Sequence, residues 1–70
     1  MATLARLHDE AQDDKRKRHV VLRLTNGVTV NAEFLDPYLG ALRFDHLPGQ
    51  VMFVADLSPH EVTGQFVDRS

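Results

Sequence analysis

Leu24-Thr25-Asn26-Gly27-Val28-Thr29-Val30-Asn31-Ala32-Glu33-Phe34 decides how this chain is read. Asn26-Gly27 supplies the two positive-φ residues of a type I′ hairpin turn, and the residues after it alternate apolar and polar. The pair therefore joins two antiparallel strands and sets their register. Before it, Val20, Leu22 and Leu24 share one face and Val21 and Arg23 the other; after it, Val28, Val30, Ala32 and Phe34 point inward while Thr29, Asn31 and Glu33 meet water. Asp36-Pro37-Tyr38-Leu39-Gly40 gathers Pro and Gly into a loop. A third strand then sends Leu42 and Phe44 inward and Arg43 and Asp45 outward, as far as the turn His46-Leu47-Pro48-Gly49.

The fourth strand, Gln50 to Ala55, breaks the alternation, because Val51-Met52-Phe53-Val54-Ala55 is apolar on both faces. A strand with one wet face alternates, so this one is expected to be covered on both sides, by the N-terminal helix or by another subunit. Pairing between subunits also removes the aggregation hazard of an open apolar edge, which makes Val51, Met52, Phe53, Val54 and Leu57 the candidate subunit interface. Asp56 interrupts the run, Leu57 to Val62 form a short fifth strand, and residues 63–70 form a tail. The expected fold is mainly β: a small, strongly bent five-stranded antiparallel barrel over residues 20–62, preceded by an α-helix over about residues 2–17.

In that helix Leu4, Leu7 and Ala11 fall on one narrow face, with Arg6, Asp9, Glu10, Asp13 and Asp14 around the rest. Thr3 is the expected N-cap, and Lys15-Arg16-Lys17-Arg18 sits in the last turn, where cations suit the helix dipole. Asp13 with Lys17 and Asp14 with Arg18 stand at i,i+4 spacing, worth ~0.3 kcal/mol each as exposed pairs. The basic run reads in two ways, as a solvated helix end or as a patch for an anionic partner.

Seventy residues make a single domain near the lower size limit for an unaided core, and the absence of cysteine closes the disulfide and thiolate-metal routes to extra stability. Self-association is the remaining route. A hydrophobic share of 43% against 26% charged residues fits a folded domain rather than a disordered one. No apolar run approaches ~20 residues, and no basic stretch precedes an apolar one at the N-terminus, so a cytoplasmic protein without a membrane partner is expected. Net charge is −2, but unevenly spread: residues 1–19 hold five Lys/Arg and four Asp/Glu, and residues 20–70 hold three and six. Any nucleic-acid contact is therefore regional.

Helix, five short strands and an Asn-Gly link between the first two resemble the Sm-like family, whose fold is a bent SH3-like barrel, and most of all its bacterial Hfq-like members. Val20 to Phe34 is similar to the first Sm motif, and Phe53-Val54-Ala55-Asp56-Leu57 stands in the place of the second. The resemblance implies a homo-oligomeric ring of about five to seven subunits, closed by pairing the fourth strand of one with the fifth of the next. It also implies single-stranded, A/U-rich RNA as ligand and a role as RNA chaperone or riboregulator. The basic rim that Hfq-like chains carry before the first strand is matched by Lys15, Arg16, Lys17 and Arg18. By the same resemblance Asp36 and Tyr38 correspond to a loop whose aromatic stacks on a base, with Gly40 where the family has Asn; packing beside Pro37 is the other reading of Tyr38. The family's aromatic-Lys-His triplet, which binds uridine on one face of the ring, is replaced by Phe53-Val54-Ala55, of which only the aromatic is kept; Phe53 is thus the candidate RNA contact there, core packing is its other reading, and Ala32 stands in place of the family's strand-bending glycine.

Catalysis finds little support: Asp45-His46 acts as a base with its orienting group only where a cleft exists, and a barrel this small rarely contains one. His8, His19, His46 and His60 lack metal-ligand spacing and read as surface residues, and no cysteine nucleophile, phosphate loop or serine elbow is present. No cofactor and no metal are expected. Two functions follow: an RNA-binding ring in which six or so rims gather about two dozen cations, or a structural, protein-interaction oligomer that has lost the RNA sites.

Overall fold

Thr3 ends a two-residue strand, β1 (Ala2–Thr3), and caps the helix after it: its hydroxyl accepts the Arg6 N–H at 3.4 Å. Helix α1 (Leu4–Asp13) stops four residues short of the expectation. The reason is Asp14, whose N–H closes the last helical bond to the Glu10 carbonyl while its carboxylate takes the Arg16 N–H at 3.0 Å, turning the chain out of the helix. The four cations therefore lie in a turn beyond the helix, and the expected Asp13–Lys17 and Asp14–Arg18 spacing is lost; Asp14 pairs with Arg16 instead, at 3.4 Å.

This computed structural model describes residues 1–68; besides β1 and α1 they form β2 (His19–Arg23), β3 (Thr29–Asp36), β4 (Ala41–Phe44), β5 (Met52–Phe53), a 3₁₀ turn (Val54–Leu57) and β6 (Thr63–Phe66). All pairings are antiparallel, in the order β1-β6-β2-β3-β4-β5, so the protein is a curled six-stranded half-barrel with an N-terminal helix. The expected bent sheet is present, with β1 as a sixth strand.

The hairpin forms with one more loop residue than a type I′ turn has. Gly27 alone in it takes positive φ, 86°; Gly27 N–H bonds to the Leu24 carbonyl and Leu24 N–H to the Val28 carbonyl, each at 2.9 Å. Thr25-Asn26-Gly27 is thus a type I turn closed by a left-handed glycine bulge. Asn26 stays right-handed because its side-chain oxygen accepts the Val28 N–H at 3.0 Å. Val28 consequently lies at the mouth of the loop and is 50% exposed rather than inward.

Beyond that residue the alternation holds. Val20 pairs with Ala32 and Leu22 with Val30; Ala32 pairs with Phe44 and Phe34 with Leu42, all of them buried. Ala32 is fully enclosed in continuous ladders on both sides, and the register of β3 shifts only after it, between Phe34 and Asp36. The irregularity at Leu35 breaks the β3 ladder without a glycine at position 32. Leu4, Leu7 and Ala11 dock α1 on this core as expected, a full leucine burial contributing about 1.5–3 kcal/mol.

The C-terminal third differs most. β5 is two residues long, residues 57–62 turn instead of pairing, and Ser58 is left-handed with φ 52° ahead of Pro59. The strand paired with β2 on the side away from β3 is β6, inside the segment expected as a tail; residues 69 and 70 of that segment lie outside the described residues. Gly64 fits there because β6 runs so close to β2 that a Cβ would stand 2.3 Å from the Val21 carbonyl oxygen. Among the described residues no helix is long and apolar enough to cross a membrane.

Candidate nucleic-acid interface

Lys15 to Arg18 form the exposed connection between α1 and β2, tied down at three points. Lys17 N–H bonds to the Asp14 carbonyl at 3.0 Å, Arg18 Nε donates to the Lys15 carbonyl at 3.0 Å, and the Arg18 carbonyl accepts the Phe34 N–H at 2.9 Å. The turn is therefore shaped by backbone bonds and anchored to β3, which leaves the Lys15 and Lys17 ammonium groups outside that network. Arg16 is partly engaged by Asp14, whose carboxyl is held below the ordinary aspartate value chiefly by the Arg16 backbone N–H, against an opposing desolvation effect that comes next in size, with the Arg16 guanidinium and Lys17 adding lesser lowering.

Lys15 lies over the other expected contact. Its Nζ stands 5.7 Å from the centre of the Tyr38 ring, within cation–π range, and Tyr38 is 66% exposed. The loop that carries Tyr38 is rigidified from beneath. The Asp36 carboxylate accepts the Tyr38 and Leu39 N–H groups at 3.0 and 3.4 Å, Gly40 closes the turn with φ 70°, and Pro37 is buried. Asp36 thus shapes the loop, its carboxylate being committed to backbone donors.

His8 reaches this loop from α1. Its ring stacks on Phe34, 6.2 Å between centres and 19° apart in plane, while Nε2 hydrogen-bonds the Pro37 carbonyl and lies 2.9 Å from the Gln12 amide. A side chain on Gly40 would come within 3.1 Å of that ring. His8 is therefore a half-buried packing residue rather than a surface one. Position i+4 to Leu4, on the edge of the apolar face, was the signal for it.

Lys17 faces the opposite way, its Nζ 5.6 Å from the centre of the Phe66 ring. Phe66 escapes a sequence reading that ends the barrel at Val62, although Val62, Gly64 and Phe66 continue the period of two. On the sheet's outer face Glu33 holds Arg43 at 2.9 Å and lies 4.0 Å from His19 Nε2, whereas His19 Nδ1 is buried with no partner among the described residues.

The chain matches no family model, no curated protein and no solved structure.

The remaining candidates separate. Phe53 pairs with Ala41 on the open β5 edge and is 44% exposed, and Val51 beside it is 55% exposed. Val54 is buried in the chain's own core, and Met52 and Leu57 pack against that core. Of the five expected interface residues, only Val51 and Phe53 present themselves to a partner. The double-sided apolar run arises because β5 gives way to a 3₁₀ turn at Val54, which redirects the side chains that a longer strand would alternate.

Proposed function

We propose that this protein binds single-stranded, A- or U-rich RNA through the Lys15–Arg18 turn and the Tyr38 loop, acting as a small RNA chaperone or riboregulator of the Sm-like kind. The observation that carries this reading is the Lys15 ammonium over the exposed Tyr38 ring. Single-strand recognition needs an aromatic face for a base and a cation within reach of the adjoining phosphate, each stacked base contributing ~1–3 kcal/mol. Here both come from separate elements and meet at one place. Asp36, Gly40 and the His8 clamp fix the loop beforehand, so little ordering is left for binding.

Self-association into a homo-oligomer belongs to the same proposal, since a net charge of −2 gives a single copy little general attraction for a polyanion. Val51 and Phe53 on the β5 edge are the apolar contacts available for it. The outer edge of β6, the other half of an Sm-like ring contact, carries Ala2 and Thr3 opposite Gly64 and Thr63. Ring closure on that edge uses the Gln65 and Phe66 main chain, which β1 leaves unpaired on that side, or displaces β1. That covered edge favours a second reading, an interaction module that uses the exposed apolar residues and no RNA.

The test is fluorescence anisotropy with A-rich and U-rich RNA oligomers at low and high salt. Binding should weaken steeply with salt as phosphate contacts release counterions. Replacing Lys15, Arg16, Lys17 and Arg18 by Ala should abolish it, and Tyr38→Ala should weaken it without changing the circular dichroism spectrum. A folded protein that binds neither oligomer at low salt refutes the RNA reading. Light scattering should give a mass several times 7.9 kDa, and a monomer refutes the ring.

A further inference from the structure

We infer that the groove beside Phe66 is a second nucleotide subsite, so that one RNA strand crosses the basic turn with a base on each side of it. The inference rests on the RNA-binding reading above and extends it to a part of the molecule that reading does not use. The groove encloses about 350 Å³ and is lined by Arg16, Lys17, His19, Phe66, Val67 and Asp68.

Three observations support it. First, alternate residues of the turn diverge: Lys15 reaches Tyr38 on one side and Lys17 reaches Phe66 on the other, at nearly equal distances of 5.7 and 5.6 Å. Each ammonium is near the outer limit of cation–π range, on a flexible stem that can swing to a phosphate when a base takes its place. Second, the floor of the groove is rigid. Phe66 pairs with Val20 in the β2–β6 ladder, and Val67 N–H bonds to the His19 carbonyl at 2.9 Å, which extends that ladder past Phe66. Third, the lining combines the half-buried Phe66 ring, which also packs against the core, with two cations, the pairing that a nucleotide's base and phosphate require. Asp68, also in the lining, is an acceptor and repels phosphate, so the base edge rather than the backbone lies toward it. This favours a base with amino or imino donors at that end.

The consequence is a length threshold. An oligomer long enough to reach both rings gains a second stacking contact that a shorter one lacks, about 5- to 150-fold in affinity. The experiment measures anisotropy for an RNA series from two to twelve nucleotides with the wild type, Phe66→Leu and Tyr38→Ala. Leucine keeps the apolar bulk under the groove and removes the ring face, and circular dichroism checks that the sheet persists. Affinity in the wild type should rise in a step with length, and Phe66→Leu should remove the step while leaving the shortest binding oligomers unchanged. Should Phe66→Leu perturb the fold, Lys17→Ala and Asp68→Asn serve as second variants, the former lowering the step and the latter altering base preference above it. A folded Phe66→Leu protein with wild-type affinity at every length, or an unchanged step in Lys17→Ala, overturns the second subsite while leaving the first intact. Absence of binding at every length overturns the underlying RNA reading instead.

Discussion

Gly64→Ala places one methyl group where the sheet has no room. Gly64 sits in β6 between Ala2 and Leu22, and a Cβ there would lie 2.3 Å from the Val21 carbonyl oxygen and 2.8 Å from Leu22 Cδ2. Ordinary contact begins near 3.4 Å, so β6 must retreat from β2 by about 1 Å. A backbone hydrogen bond lengthened that far, from ~2.9 to ~3.9 Å, no longer qualifies as one. The β2–β6 ladder has four residue pairs, Val20–Phe66 to Arg23–Thr63. Losing about two of its bonds at ~1 kcal/mol each, with overpacking of ~1–3 kcal/mol, gives a destabilisation of about 3–5 kcal/mol. For a chain of this size that is most of the available stability, and each kcal/mol moves the melting temperature by about 4–8 °C. The assay is thermal unfolding by circular dichroism. The variant should melt at least ~12 °C below wild type or be unfolded at 25 °C. Gly49→Ala is the control: nothing lies within 4 Å of its Cβ position, and the change should stay within ~0.5 kcal/mol. A Gly64→Ala melting point within ~4 °C of wild type refutes both the close approach of β6 and its place in the sheet.

Three further outcomes are expected. Gly27→Ala should cost about 1 kcal/mol in urea unfolding with no steric component, because φ is 86° and nothing lies within 4 Å; Gly27→Asn should cost less, since Asn tolerates that conformation better. His8→Ala should lose ~1–2 kcal/mol and speed hydrogen exchange at the Tyr38 and Gly40 amides, whereas His8→Phe keeps the stack on Phe34 and recovers part of the stability but not the Pro37 bond. Asp14 should titrate below the ordinary aspartate value in a carboxyl-detected NMR pH series. Its folded pKa being depressed, the stability it contributes is present above the unfolded value and lost as pH falls through the folded one, and Asp14→Asn should remove that part of the acid sensitivity.

By itself the sequence determined what depends on near neighbours. The alternation of Val20, Leu22, Val30, Ala32, Phe34, Leu42 and Phe44 marks an inward face that is buried throughout, and Leu4, Leu7 and Ala11 mark the helix face that docks on it. Thr3 as cap and Asn26-Gly27 as hairpin were equally legible, since each turn or cap is built within a few residues. The details within those units were not. One left-handed residue in the hairpin instead of two, and a helix ending at Asp13 instead of 17, were decided by the Asn26 and Asp14 side chains competing for backbone donors.

Tertiary structure alone decided what depends on contacts between distant segments. Thr63–Phe66 is a strand because β2 offers it an open edge, and no local signal stronger than a period of two announces that pairing. His8 meets a loop 29 residues away, and Lys15 and Lys17 find Tyr38 and Phe66 across the turn. The four cations and the tyrosine were visible as letters in the sequence. That Lys15 meets the tyrosine while Lys17 meets Phe66 follows only from the curl of the sheet, which brings the β3–β4 loop and the end of β6 to the two sides of one short basic turn.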